Sequence, residues 1–266
     1  HMFDRGRATR FDLHGHAVIH TAPNVRKVAP DATYPAGYQP ICIGTTTSDR
    51  MERFTRPLMP VVWGLAAVLL AVATWRACAV PEDFRQGDTL RIIFVHAPAA
   101  TVGLAAYAAL GVSSFFALVF RHPLADAAAR AAALPGAAFT ALALATGSLW
   151  GKPMWGAWWA WGDARLMSVL ILFLFYLGYM ALRASIDDEA KAARAAAVLG
   201  LVGLINLPIV KFSVDWWNTL HQPASLLRAD GPSMSAVFLT PLLMMMAAWT
   251  ALFLAIWLTS IRTEIV

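Results

Sequence analysis

The run Leu166-Met-Ser-Val-Leu-Ile-Leu-Phe-Leu-Phe-Tyr-Leu-Gly-Tyr-Met-Ala-Leu182 carries no charge. It follows directly on the tryptophan-rich stretch Trp150-Gly-Lys-Pro-Met-Trp-Gly-Ala-Trp-Trp-Ala-Trp-Gly-Asp-Ala-Arg165. A helix needs about 20 mostly apolar residues to cross a hydrocarbon core about 30 Å thick. Residues 166–184 meet that length, and the pattern recurs on both sides. Apolar runs also occupy residues 58–80, 90–120, 131–150, 195–214 and 234–259, which makes six. They are continuous and rich in Ala and Leu, whereas a membrane barrel is written in segments of about ten residues that alternate in polarity. The expectation is an all-α polytopic membrane protein with six transmembrane helices.

Composition points the same way. Of 266 residues, 59% are hydrophobic and 14% charged, against about 45–50% and about 25% in soluble domains. Mean hydropathy is +0.58 and the pI is near 9.6. The net charge of +5 does not describe a nucleic-acid-binding face, because Lys and Arg are scattered in short clusters between apolar runs. They read as topology signals. Six spans put both termini on one side, and Arg50, Arg53, Arg56, Arg121, Arg130, Lys191, Arg194 and Arg262 flank the ends that share it. The positive-inside rule assigns that side to the cytoplasm. Connections around residues 81–89, 151–165 and 215–233 then face outward, and the cations within them, Arg85, Lys152, Arg165 and Arg228, need a separate explanation.

Residues 1–56 contrast with the membrane domain at 57–262. They hold His14, His16, His20 and several prolines but no long apolar run, the composition of a disordered polar tail. The two cysteines, Cys42 and Cys78, have neither zinc-knuckle nor haem-attachment spacing, and the topology sets them on opposite sides of the bilayer.

Five of the eleven tryptophans fall within residues 150–165, in one outward segment that also holds Gly151, Gly156 and Gly162. Indole rings favour membrane interfaces in general, but an ordinary aromatic belt spreads them over many helix ends. Concentrated here, they offer broad rigid faces to a large planar apolar molecule such as a porphyrin. Lys152, Arg165 and Arg228 either pair with the carboxylates of that molecule or anchor at headgroups. Asp163 either orients Arg165, accepts an indole N–H, or N-caps the fourth span. His96, in Val95-His-Ala-Pro98, and His221, after Trp216-Trp-Asn-Thr-Leu220, approach the same membrane face as the tryptophans. Two imidazoles on opposite sides of a porphyrin give six-coordinate iron.

Together, the stretch from Trp150 through Arg165, Val95-His-Ala-Pro98, Asn206-Leu-Pro208 and Trp216-Trp-Asn-Thr-Leu-His-Gln222 resemble the haem exporter protein C family, CcmC, over roughly residues 52–260. The resemblance implies a six-helix bacterial inner-membrane protein of the tryptophan-rich "WWD" haem-handling group, with haem presented at the periplasmic face. It implies that His96 and His221 are the axial ligands of a noncovalently and transiently held haem b. The haem platform would run from Trp155 to Asp163, with Trp155, Gly156, Trp158, Trp159, Trp161 and Asp163 as its members. It also implies partners: the ATPase and membrane subunits of an ATP-binding-cassette (ABC) transporter, a small single-span subunit, and a periplasmic haem chaperone loaded during cytochrome c maturation. One departure from the family pattern is Gly162, which stands between Trp161 and Asp163 and shifts Asp163 and Arg165 by one position.

The expected role is haem presentation and transfer without covalent chemistry on the porphyrin. Walker-loop, catalytic-triad and metalloprotease signatures are absent from the sequence, so an ATP-driven step would belong to another polypeptide. Two other classes remain open at this level. A b-type cytochrome subunit exchanging electrons with quinone usually sets its histidines deep in facing helices. A small-molecule transporter with a tryptophan gate often shows repeated halves and broken helices.

Overall fold

The computed structural model describes residues 9–11, 17–19, 45–221, 226 and 230–265, with the side chains of those from 55 to 264. Arg228, Cys42, His14, His16 and His20 lie outside the described residues. The chain divides into two units, His1–Thr45 and Thr46–Val266. In the first, β1 (Thr9–Phe11) and β2 (Ala17–Ile19) pair antiparallel with Arg10 opposite Val18.

The second unit is helical: α1 (Thr45–Cys78), a short 3-10 helix (Asp88–Ile92), α2 (Ile93–Phe120), α3 (Pro123–Trp155), α4 (Ala164–Ser185), α5 (Glu189–Leu204), α6 (Asn206–Trp216) and α7 (Ala236–Ile265). Among the described residues six stretches are long and apolar enough to cross a membrane: Thr55–Cys78, Asp88–Phe120, Pro123–Trp155, Ala164–Ser185, Glu189–Trp216 and Ala236–Glu264. All six expected spans are present.

The boundaries differ in three places. Helix α1 starts at Thr45, inside the segment read as tail, and runs on through Pro57 and Pro60. Helix α3 runs from Pro123 to Trp155 instead of 131–150. Pro123 suits a first helical position, where its missing N–H costs nothing, and the early charges Asp126 and Arg130 find partners. Arg183 grips Asp126 through two hydrogen bonds of 2.6 and 2.9 Å, and Arg130 reaches Glu189 at 2.7 Å and Glu264 at 2.8 Å. This ionic cluster ties α3, α4, α5 and α7 together at one end of the bundle. The third difference is that the fifth span is broken. Pro208 has no N–H and its ring clashes with the carbonyl four residues back, which belongs to Leu204, the last residue of α5. Asn206 holds the break in place by donating to the Ser168 carbonyl on α4 at 2.8 Å.

Helices α2, α3, α4 and α5 pack in a ring, and α7 packs against both α2 and α3. Close approach depends on small residues, as expected where lipid gives no hydrophobic drive between helices. A Cβ at Gly103 would stand 2.6 Å from Thr140 Oγ1, and Gly200 and Gly203 of α5 abut Ser114 and Tyr107 of α2. Tyr107 and Tyr176 are fully buried edge-to-face at 4.8 Å, and the Tyr176 hydroxyl donates to the Gly103 carbonyl at 2.8 Å.

Candidate functional site

Alternating spans bring the 3-10 helix before α2, the loop between α3 and α4, and the segment after α6 to one end of the bundle. Helix α3 has 33 residues and is therefore about 50 Å long at 1.5 Å per residue. That exceeds the hydrocarbon thickness, and its last two turns hold Trp150 and Trp155. The helix stops at Gly156, whose φ of 75° is left-handed and free of a Cβ penalty. Lys152 Nζ donates to the Gly156 carbonyl at 3.2 Å.

A cavity of about 400 Å³ lies at this end, between α2, α3, α4 and α6, within the range of small-molecule sites. His96, His221, Trp155, Trp158 and Arg165 all line it. Residues far apart in sequence thus share one space.

His96 stands in the first turn of α2. Its Nδ1 is 3.0 Å from the Ala143 carbonyl and 3.2 Å from Thr146 Oγ1, whose own proton goes to the Leu142 carbonyl at 2.7 Å. Both neighbours accept, so Nδ1 carries the ring proton and Nε2 keeps its lone pair. Gly147 makes room: a Cβ there would stand 3.1 Å from His96 Cε1.

His221 is held by Asp163. The ring Nδ1 is 3.1 Å from Asp163 Oδ1, which also accepts from the Leu166 amide at 2.9 Å, while Oδ2 accepts from the Leu220 amide at 2.7 Å. Asp163 is 3% exposed. Burial pushes its carboxyl upward, yet the Leu166 and Leu220 amides and the His221 ring outweigh burial and hold it below 3.8. His221 itself sits below 6.5, because burial disfavours the imidazolium more than the Asp163 carboxylate favours it. At neutral pH the pair is a carboxylate facing a neutral imidazole, with the proton on Nδ1. Among the described residues no partner engages Nε2 of either histidine. These are the atoms through which a metal would be ligated, each with its other nitrogen fixed by an outer partner.

Aromatic rings extend the wall. Trp155 meets His221 edge-on at 5.0 Å and Trp150 at 5.1 Å, and the Trp150 indole N–H donates to Gln86 Oε1 at 3.0 Å. Trp158 lines the cavity but is 56% exposed.

Not every expected residue converges. Trp159 and Trp161 pair with each other at 5.8 Å without lining the cavity, and the Trp159 indole N–H is buried with no partner among the described residues. Gly156 shapes the turn rather than the cavity wall. Lys152 finishes α3 and does not reach the cavity. Of the three readings for Asp163, the N-cap holds. Asp163 does not hydrogen-bond Arg165, whose Nε donates to Ser213 Oγ and whose Nη2 donates to the Lys211 carbonyl, both at 3.2 Å. Nor does it accept an indole N–H, and its further partner, His221, is one the sequence reading did not consider. The inserted Gly162 leaves Asp163 fully engaged.

Sequence reasoning missed Gln86, Gly147 and Lys211 in the lining. Lys211 had a signal, being a lone charge in the apolar run at 195–214. Among the described residues no group of three or more His, Cys, Asp or Glu side chains converges as for a free metal ion. The donor set is instead two imidazoles beside aromatic walls, which fits axial ligation of a planar iron macrocycle.

The family model for heme exporter protein C matches residues 42–266. A heme exporter protein C from Bradyrhizobium diazoefficiens is 54% identical over 216 residues, covering 81% of this chain and 82% of that protein. The heme exporter protein C of Haemophilus influenzae is 43% identical over 211 residues, 79% of this chain and 85% of its own length. A putative cytochrome c biosynthesis ccmC-like mitochondrial protein of Marchantia polymorpha is 45% identical over 197 residues, 74% of this chain and 82% of its own. A match across nearly the whole membrane domain, joined to the six spans, means that this chain belongs to the heme exporter protein C family.

Proposed function

We propose that this protein binds haem b noncovalently through His96 and His221 and hands it on for cytochrome c maturation, as a haem-export component without catalytic activity of its own. The observation that carries the reading is that both imidazoles line one cavity, each with Nδ1 tied to a protein acceptor and Nε2 without a partner among the described residues. Fixed tautomers lower the reorganisation needed to ligate iron. Trp155, Trp158 and Arg165 line the same cavity, where the indoles would shield the macrocycle and the guanidinium would meet a porphyrin carboxylate.

The arginine bias supports a bacterial inner-membrane protein with cytoplasmic termini and the cavity facing the periplasm. The exposed edge of the site is where a periplasmic haem chaperone would collect the cargo. ATP hydrolysis belongs to the ATPase and membrane subunits of an ABC assembly, joined by a small single-span subunit.

The test is the haem content and visible spectrum of the purified protein with His96→Ala and His221→Ala. Each substitution is expected to remove bound haem or its six-coordinate spectrum. Retention of both features in both variants overturns the ligand assignment.

A further inference from the structure

The fifth span is broken beside the cavity, between α5 and α6. On the far side of the break α5 packs on α2, with Gly200 and Gly203 against Ser114 and Tyr107. Beyond Ile205 the chain leaves that contact, and α6 packs on α4, pinned by Asn206 to the Ser168 carbonyl and by Ser213 and the Lys211 carbonyl to Arg165. Helices α2 and α6 thus diverge toward the tryptophan end. Thr101 on α2 and Lys211 on α6 both line the cavity and are both exposed, although both belong to membrane-spanning stretches.

Lys211 is the informative residue. It precedes Trp216, the end of α6, by about 7 Å of helix, near the tryptophan end of its span. Its backbone carbonyl accepts from Arg165 Nη2, and among the described residues no hydrogen bond or ion pair of its ammonium accompanies that contact. A lysine near a helix end carries its charge toward the interface, and this one stands exposed on the cavity wall. Arg165, anchored to the Lys211 backbone, adds a second cation beside it, with Asp163 and Asp215 near its guanidinium.

From this we infer that the cavity is loaded sideways, through a mouth between α2 and α6 in the leaflet on the tryptophan side, and that Lys211 selects there for a macrocycle bearing free carboxylates. The inference rests on the haem-binding reading above. An apolar macrocycle dissolved in the leaflet would slide between the two helices with one carboxylate drawn to Lys211.

The experiment compares haem with its iron porphyrin dimethyl ester, which has no free carboxylates, each preloaded into vesicles and titrated with the purified full-length chain. Lys211→Met is expected to weaken haem binding about tenfold, the size of one lost charge-assisted hydrogen bond, and to leave ester binding unchanged. Lys211→Arg is expected to restore the preference, which controls for folding. If Lys211→Met binds both compounds as the unaltered chain does, or weakens both equally, the role of Lys211 is overturned. If haem offered from water loads faster than haem offered from vesicles, the sideways mouth is overturned. If the unaltered chain binds neither compound, the haem-binding reading itself fails.

Discussion

Asp163 Oδ1 accepts the ring proton of His221 at 3.1 Å and, with the same oxygen, the Leu166 amide that starts α4 at 2.9 Å. One carboxylate therefore orients a candidate ligand and caps a membrane helix, and the Leu220 amide on Oδ2 locks the approach of the connecting segment. Moving either partner moves the other.

Asp163→Asn tests that coupling. The amide turns one acceptor into a donor and leaves either His221 Nδ1 or the Leu220 N–H facing an N–H group. Outer partners of metal-ligating histidines typically contribute about 10–100-fold to metal affinity. Haem affinity measured by absorbance titration is expected to fall within that range. Asp163→Ala should also destabilise the fold by about 1 kcal/mol through loss of the cap, read as a lower thermal midpoint in detergent.

The pH dependence follows from His221 lying below 6.5. A depressed imidazole keeps Nε2 available through neutrality, so haem affinity should be level from pH 8 to 7 and decline only as pH falls through the lowered value. Linkage gives stability the same sign. The contribution of His221 is fully present above 6.5 and is lost as pH falls through its folded-state value; that of Asp163 is present above 3.8 and is lost at still lower pH. A decline already under way between pH 8 and 7 in haem titrations would contradict this assignment.

Gly147 should tolerate little enlargement. A Cβ 3.1 Å from His96 Cε1 forces the ring to give by a few tenths of an ångström, and a branched side chain forces it further. Gly147→Ala is expected to lower haem occupancy modestly and Gly147→Val to remove the six-coordinate spectrum, with both variants still inserted in the membrane. Full occupancy in Gly147→Val would show that the His96 ring is not confined.

The ionic cluster at the other end should affect stability without touching the cavity. Arg183→Met leaves Asp126 without its bidentate partner, at a cost of about 1–3 kcal/mol for lost hydrogen bonds between charged groups. The expected result is a lower thermal midpoint with an unchanged haem spectrum. A shifted spectrum would mean that the two ends are coupled through α3 and α4.

How much of this was legible in the sequence depended on the range of each interaction. The six spans were legible because hydrophobic length is a local property summed over about 20 residues. Span boundaries were less so: Asp126 and Arg130 interrupt hydropathy in α3, and only pairing with Arg183, Glu189 and Glu264 makes helix tolerable there. The tryptophan segment, His96 and His221 stood out by residue type and by falling at one end of alternating spans.

What sequence alone determined was therefore the membrane architecture, the end of the bundle that carries the aromatic residues, and the two histidines facing that end. Tertiary structure decided which groups surround them. Asp163 and His221 are 58 residues apart, and nothing local distinguishes an N-cap that also holds a histidine from one that does not. Lys152 and Arg165 are equivalent charges in one segment, yet Lys152 turns to the end of its own helix while Arg165 is drawn to the cavity by Ser213 and the Lys211 carbonyl. Pro208 breaks the fifth span, but the packing of the segment beyond the break was set by the hydrogen bond from Asn206 to α4. Hydropathy depends on neighbours along the chain, whereas hydrogen-bond partners depend on which helices pack together.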